Sequence, residues 1–116
     1  MVKLRNKLLA VFLFSFLSMS QITSAQNNGP YVRIARIVVD SSQLENYKVA
    51  LKEGIETAVQ TEPGVLRMYA VYERANPTHI TVFETYASKE AYQLHLQSPH
   101  FKKYKTGTLN MVKTLE

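Results

Sequence analysis

Tyr31-Val32-Arg33-Ile34-Ala35-Arg36-Ile37-Val38-Val39 is dense in β-branched residues and is closed by Asp40, so it reads as a strand. Directly after it, Ser42-Gln43-Leu44-Glu45 has the form of a capping box, with Ser42 at a helix start and Glu45 reaching back. Leu44, Tyr47, Leu51, Ile55 and Ala58 recur at helical spacing, which predicts an amphipathic helix to about Thr61. Gly54 interrupts that helix at a cost of roughly 1 kcal/mol against Ala, which implies close packing there. Glu62-Pro63-Gly64 ends it.

Residues 65–74 read as a second strand, and Ala75-Asn76-Pro77-Thr78 as a turn with proline as the breaker. Residues 79–86 are a third strand, so the two form a hairpin. Ser88 opens a second helix with Ala91, Tyr92 and His95 on one face. Ser98-Pro99 restarts it, serine as cap and proline at the first position. The order β-α-β-β-α is that of an α+β, ferredoxin-like split βαβ fold (the dimeric α/β-barrel type) without its last strand. Residues 114–116 leave room for a fourth strand that is short or missing.

The strands carry apolar residues on both sides. The first offers Val32, Ile34 and Val38 on one side and Ala35, Ile37 and Val39 on the other. The second offers Leu66, Met68, Ala70 and Tyr72 against Val65, Tyr69 and Val71. A sheet with one wet face would alternate apolar with polar. One helical layer covers one face, so the other calls for a partner, most simply a second copy of the chain.

Outward from this domain, residues 26–30 are a polar, breaker-rich leader expected to be flexible. Before them, Lys3, Arg5 and Lys7 precede an apolar run at residues 8–17, and small residues follow to Thr23-Ser24-Ala25. That is the three-part pattern of a signal peptide, residues 1–25, and it predicts export to the periplasm or medium. Its apolar run is about half the ~20 residues of a membrane-spanning helix, so no stable membrane anchor is expected. Of the 116 residues, 14 are basic and 9 acidic; without Lys3, Arg5 and Lys7 the balance is nearly even. Neither nucleic acid nor an anionic membrane is then an expected partner. The chain has no cysteine, which rules out disulfides, thiol catalysis and thiolate metal sites.

Glu62-Pro63-Gly64-Val65-Leu66, Asn76-Pro77-Thr78, Phe83-Glu84-Thr85-Tyr86-Ala87, Ala91-Tyr92 and His95-Leu96-Gln97-Ser98-Pro99-His100-Phe101 together resemble the antibiotic biosynthesis monooxygenase (ABM) family, and within it the quinol monooxygenase branch. The resemblance spans about residues 32–113. It implies a dimeric ferredoxin-like barrel with a cavity between sheet and helices. It also implies oxidation of a quinol or similar hydroxylated aromatic by O₂ without flavin, haem or metal. The absence of tryptophan sets the chain apart from haem-degrading relatives.

That chemistry needs a base working near neutral pH, an apolar cavity, and donors for a developing oxyanion. Histidine is the residue whose ordinary pKa suits the base. His95 and His100 are the candidates, with Glu84 as an orienting partner. Tyr69, Tyr72, Arg67 and Arg74 are candidate donors, and Met68 and Phe83 candidate apolar wall. Alternation puts Arg67 with Tyr69 on one face and Tyr72 with Arg74 on the other, so only one pair can line a cavity. His79 and the lysines at 102, 103 and 105 read as solvated.

Other chemistries find little. His95 and His100 would sit about 140° apart on an unbroken helix, and no third ligand stands out, so no metal is expected. There is no Gly-rich phosphate loop and no Gly-x-Ser-x-Gly elbow. A second reading remains: a non-catalytic dimeric module that binds a small aromatic ligand or a partner.

Overall fold

The computed structural model describes residues 29–116; the predicted signal peptide and most of the leader lie outside them. The elements are β1 (Tyr31–Val39), a 3₁₀ turn (Ser41–Gln43), α1 (Leu44–Thr61), β2 (Val65–Tyr72), β3 (His79–Tyr86), α2 (Lys89–Gln97), α3 (Pro99–Thr108) and β4 (Val112–Leu115). The strands form one antiparallel sheet in the order β2-β3-β1-β4, with the helices on one face. This is the ferredoxin-like α+β fold. The fourth strand is short and does form, pairing Val39 with Val112 and Ile37 with Leu115.

The helix starts follow local chemistry. Ser88 Oγ accepts the Ala91 amide at 3.1 Å, and Ser98 Oγ accepts the Phe101 amide at 3.2 Å. These caps satisfy amides that the first turn leaves free. At the head of α1 the expected capping box is replaced. Asp40 Oδ1 accepts the Ser42 amide at 2.8 Å and the Ser42 hydroxyl at 2.5 Å. The serine hydroxyl is thereby spent on Asp40, a 3₁₀ turn intervenes, and Glu45 pairs with Lys48 instead. These two bonds hold the Asp40 carboxyl below its ordinary pKa.

β2 carries an irregularity between Val65 and Arg67 that leaves Leu66 as an extra residue. Because of it, Val65 and Met68 point to the same side, toward the helices. The core consists of Ala35, Ile37, Val39, Ile80 and Val82 from the sheet against Tyr47 and Leu51 of α1. A second cluster, Ala58, Val65 and Tyr86, sits where α1 ends and α2 begins. Gly54 faces Tyr104 at ordinary contact distance, 3.6 Å from a Cβ built on it, so the close packing inferred from sequence is absent.

Candidate active site

Between the helix-facing side of the sheet and α1–α3 lies a cavity of about 340 Å³, within the usual range for small-molecule sites. Ala35, Ile37, Met68 and Val82 of the sheet form its floor. Leu51, Ile55, Leu96 and Phe101 of the helices form its roof. The residues with polar groups that line it are Arg33, Glu84, Tyr92, His95, Tyr104 and Lys105.

His95 is 4% exposed and is held by aromatic rings: Phe101 meets it edge-on at 5.0 Å and Tyr86 lies at 5.6 Å. Its Nδ1 is 2.7 Å from Glu62 Oε2, and His100 Nε2 is 2.7 Å from the same oxygen. An ionised carboxylate only accepts, so each of these two nitrogens is an N–H donor. A neutral imidazole carries one N–H, which leaves His95 Nε2 bare. That atom has no hydrogen-bond partner among the described residues. It is also not sealed off, since no buried side-chain nitrogen or oxygen there is unpartnered. His95 lines the cavity, whereas Glu62 and His100 stand behind it.

Glu62 is the residue that sequence reading missed. It stands at the C-cap of α1, in a triplet read as a helix stop and as part of the family resemblance, with no role given to its carboxylate. A signal was present: a carboxylate at the negative end of a helix is disfavoured unless donors meet it. Two imidazoles do so here. The Ser98-Pro99 break supplies the second by turning His100 back toward His95, with ring centroids 5.9 Å apart.

Glu84 lines the cavity without touching His95, so it does not orient the histidine. Its Oε1 accepts the Tyr86 hydroxyl at 2.7 Å, and Arg33 donates to Oε2 at 3.2 Å from directly across the β1–β3 ladder. Both oxygens are thus engaged. Burial first, and this bond second, push the Tyr86 phenol above its ordinary pKa and keep it a neutral donor. The Arg33 guanidinium also lies 4.5 Å over the Tyr92 ring.

Of the remaining expected wall, Met68 lines the cavity. Tyr72 faces the helices but lines a shallower groove beside α1, where Lys48 lies 4.9 Å over its ring. Arg67, Tyr69 and Phe83 are corrections: strand alternation turns them to the opposite face, where Tyr69 stacks on Phe83 at 5.0 Å. Arg74 lies past the end of β2. Lys105, read as part of a wet helix face, reaches the cavity, and so does Tyr104 from the inward side of α3. Burial pushes the Tyr104 phenol up, and it is bonded to the Tyr47 hydroxyl.

Comparison with known proteins agrees with this architecture. A provisionally named antibiotic biosynthesis monooxygenase from Bacteroides thetaiotaomicron is 51% identical, with a TM-score of 0.75 over 76% of this chain and 84% of its own. A provisionally named monooxygenase from Lactobacillus acidophilus is 30% identical, also with a TM-score of 0.75, over 77% of this chain and 42% of its own longer one. A provisionally named antibiotic biosynthesis monooxygenase from Nitrosomonas europaea shares the fold at 20% identity, with a TM-score of 0.72 over 77% of this chain and 86% of its own. No curated protein matches the sequence. The sequence profile described as antibiotic biosynthesis monooxygenase matches residues 30–107, and the chain belongs to that family.

Proposed function

We propose that the protein is a monooxygenase that oxidises a quinol or similar hydroxylated aromatic with O₂ and needs no cofactor to do so. The observation that carries this reading is His95, which lines a largely apolar cavity while Glu62 holds its Nδ1–H, leaving Nε2 as the ring's unpartnered acceptor. A carboxylate behind an imidazole fixes its tautomer and orientation and supports the positive charge it gains on accepting a proton.

In this reading the substrate ring lies between Met68 and Phe101 with a hydroxyl at His95 Nε2. His95 takes the hydroxyl proton, and the electron-rich phenolate then reacts with O₂. One oxygen atom enters the ring and the other leaves as water, so quinol plus O₂ gives hydroxyquinone plus water. The Arg33 guanidinium and the Lys105 ammonium draw the negative charge that develops, in a site whose walls are mostly apolar. Glu84 acts through Arg33, holding the guanidinium at the cavity wall.

The working unit in this reading is a homodimer. Val32, Ile34, Leu66, Tyr69 and Val71 are large apolar side chains at least 45% exposed, those of the sheet's outer face covered by no helix. A second copy would bury them. The pattern of residues 1–25 supports export with cleavage before Gln26.

The decisive experiment is oxygen uptake by purified, metal-free protein across a panel of hydroquinones. Uptake above the autoxidation blank, with hydroxyquinone formed one for one with O₂ consumed, is the expected result. Saturable binding of the same aromatics without uptake would favour a non-catalytic binding module.

A further inference from the structure

The ligand atoms of Glu62, His95 and His100 all lie within 4.8 Å of one another. Two imidazoles and one carboxylate are a donor set that zinc takes at about 2.0–2.2 Å per bond. Tetrahedral zinc keeps neighbouring ligand atoms about 3.3 Å apart, so the two 2.7 Å contacts need to open by about half an ångström while the two histidine nitrogens, within 4.8 Å of each other, close by up to about 1.5 Å. The cluster is held from several directions. Phe101 and Tyr86 fix the His95 ring, the Ser98 cap fixes the start of α3, and Gly64 lets α2 sit directly against the corner that carries Glu62.

We propose that Glu62, His95 and His100 are the protein ligands of a Zn²⁺ site with water in the fourth position, and that the ion switches His95 off as a base; only the second half rests on the monooxygenase reading. Zinc takes the lone pair of His95 Nδ1, so the single proton of the neutral ring moves from Nδ1 to Nε2 by way of water, with none released. At His100 it moves the other way, from Nε2 to Nδ1. His95 Nε2 then carries a hydrogen where it was bare, and it can no longer accept the proton of a substrate hydroxyl. The ion itself lies behind the histidine ring, because His95 alone of the three ligands lines the cavity. This separates the site from the two-histidine, one-carboxylate centres of iron oxygenases, whose open positions face the substrate.

The test is calorimetric titration of Zn²⁺ into the full, tag-free, metal-stripped chain, with three variants beside it. Wild type and His79→Ala should each bind one ion, since the exposed His79–Glu73 pair, 3.9 Å apart, is the control for surface binding. His100→Ala and Glu62→Gln should bind at least about tenfold more weakly. Circular dichroism reports folding; Glu62→Gln keeps the side chain's shape and serves if His100→Ala unfolds. In ¹⁵N NMR of wild type, His95 Nε2 should change from bare to protonated as zinc is added. Equal affinity in wild type and Glu62→Gln, or no saturable binding at micromolar zinc, overturns the site. Zinc bound there with Nε2 still bare overturns the switch. Neither readout needs turnover, so a failure of quinol oxidation bears on the monooxygenase reading alone.

Discussion

Gly64 and Ala91 meet with no room between them: a Cβ on Gly64 would fall 2.6 Å from that of Ala91. The Gly64 carbonyl also accepts the Ala87 amide at 2.8 Å. α2 is therefore seated on the corner that ends α1, and this seat sets the distance from His95 to Glu62.

Gly64→Ala should accordingly damage the site from outside it. The added methyl meets a Cβ that cannot rotate away, and overpacking of this kind costs about 1–3 kcal/mol. Thermal unfolding should show the loss, and quinol-dependent oxygen uptake should fall as α2 lifts. Gly54→Ala is the contrast: its methyl meets Tyr104 at ordinary contact, so helix propensity should make it neutral or stabilising by up to about 1 kcal/mol.

His95→Ala should lower kcat on the order of 10²-fold or more, the usual share of a general base. The fold should survive, at a cost of about 1–3 kcal/mol for the lost buried hydrogen bond. Glu62→Gln should lower kcat about 10–100-fold with KM nearly unchanged, because Glu62 orients the base without lining the cavity. Steady-state kinetics on both variants, with circular dichroism, checks the pair.

Burial holds the phenols of Tyr47, Tyr86 and Tyr104 above their ordinary pKa. Unfolded, the same phenols ionise near pH ~10. The stability that comes from keeping them protonated is thus whole below about pH 10 and drains away as pH rises above it. In an alkaline titration followed by tyrosinate absorbance, three of the seven tyrosines should ionise only as the protein unfolds. Seven ionising smoothly in the folded state would contradict this.

Val71→Lys puts a charge in the middle of the outer sheet face, where Val71 is 45% exposed in the single chain. Light scattering should change from a dimer mass to a monomer mass, with the far-ultraviolet spectrum kept. A wild type that is monomeric at micromolar concentration would remove the dimer.

Most of the fold was legible because its signals are local. Ser88 and Ser98 cap as expected, and residues 79–86 alternate cleanly as β3. The head of α1 was misread because two cap residues compete there and the Asp40 carboxylate takes the Ser42 hydroxyl. Which strand face meets the cavity was not legible, since one extra residue at Leu66 shifts the alternation of β2 and nothing in its type marks it. His95 was legible by residue type and spacing. Its partner was not: Glu62 lies 33 residues away and comes to it only when α1 and α2 fold onto the same corner. Glu84 stood nearer in sequence, but its oxygens are taken by Tyr86 and by Arg33 across the ladder.

β4 covers only part of the β1 edge. Arg36 exchanges both backbone bonds with Glu116 at 2.9 Å, so Ile34 and Val32, two and four residues earlier, turn their amides and carbonyls to the same side. Past Arg36 no strand of the described residues meets them there. An open apolar edge of this sort is a template for runaway strand addition and fibril growth. Arg33 and Arg36 punctuate it with charge, the standard guard on such edges. Arg33 therefore protects solubility as well as facing the cavity, and replacing it with an uncharged residue to probe catalysis would also remove a gatekeeper against aggregation.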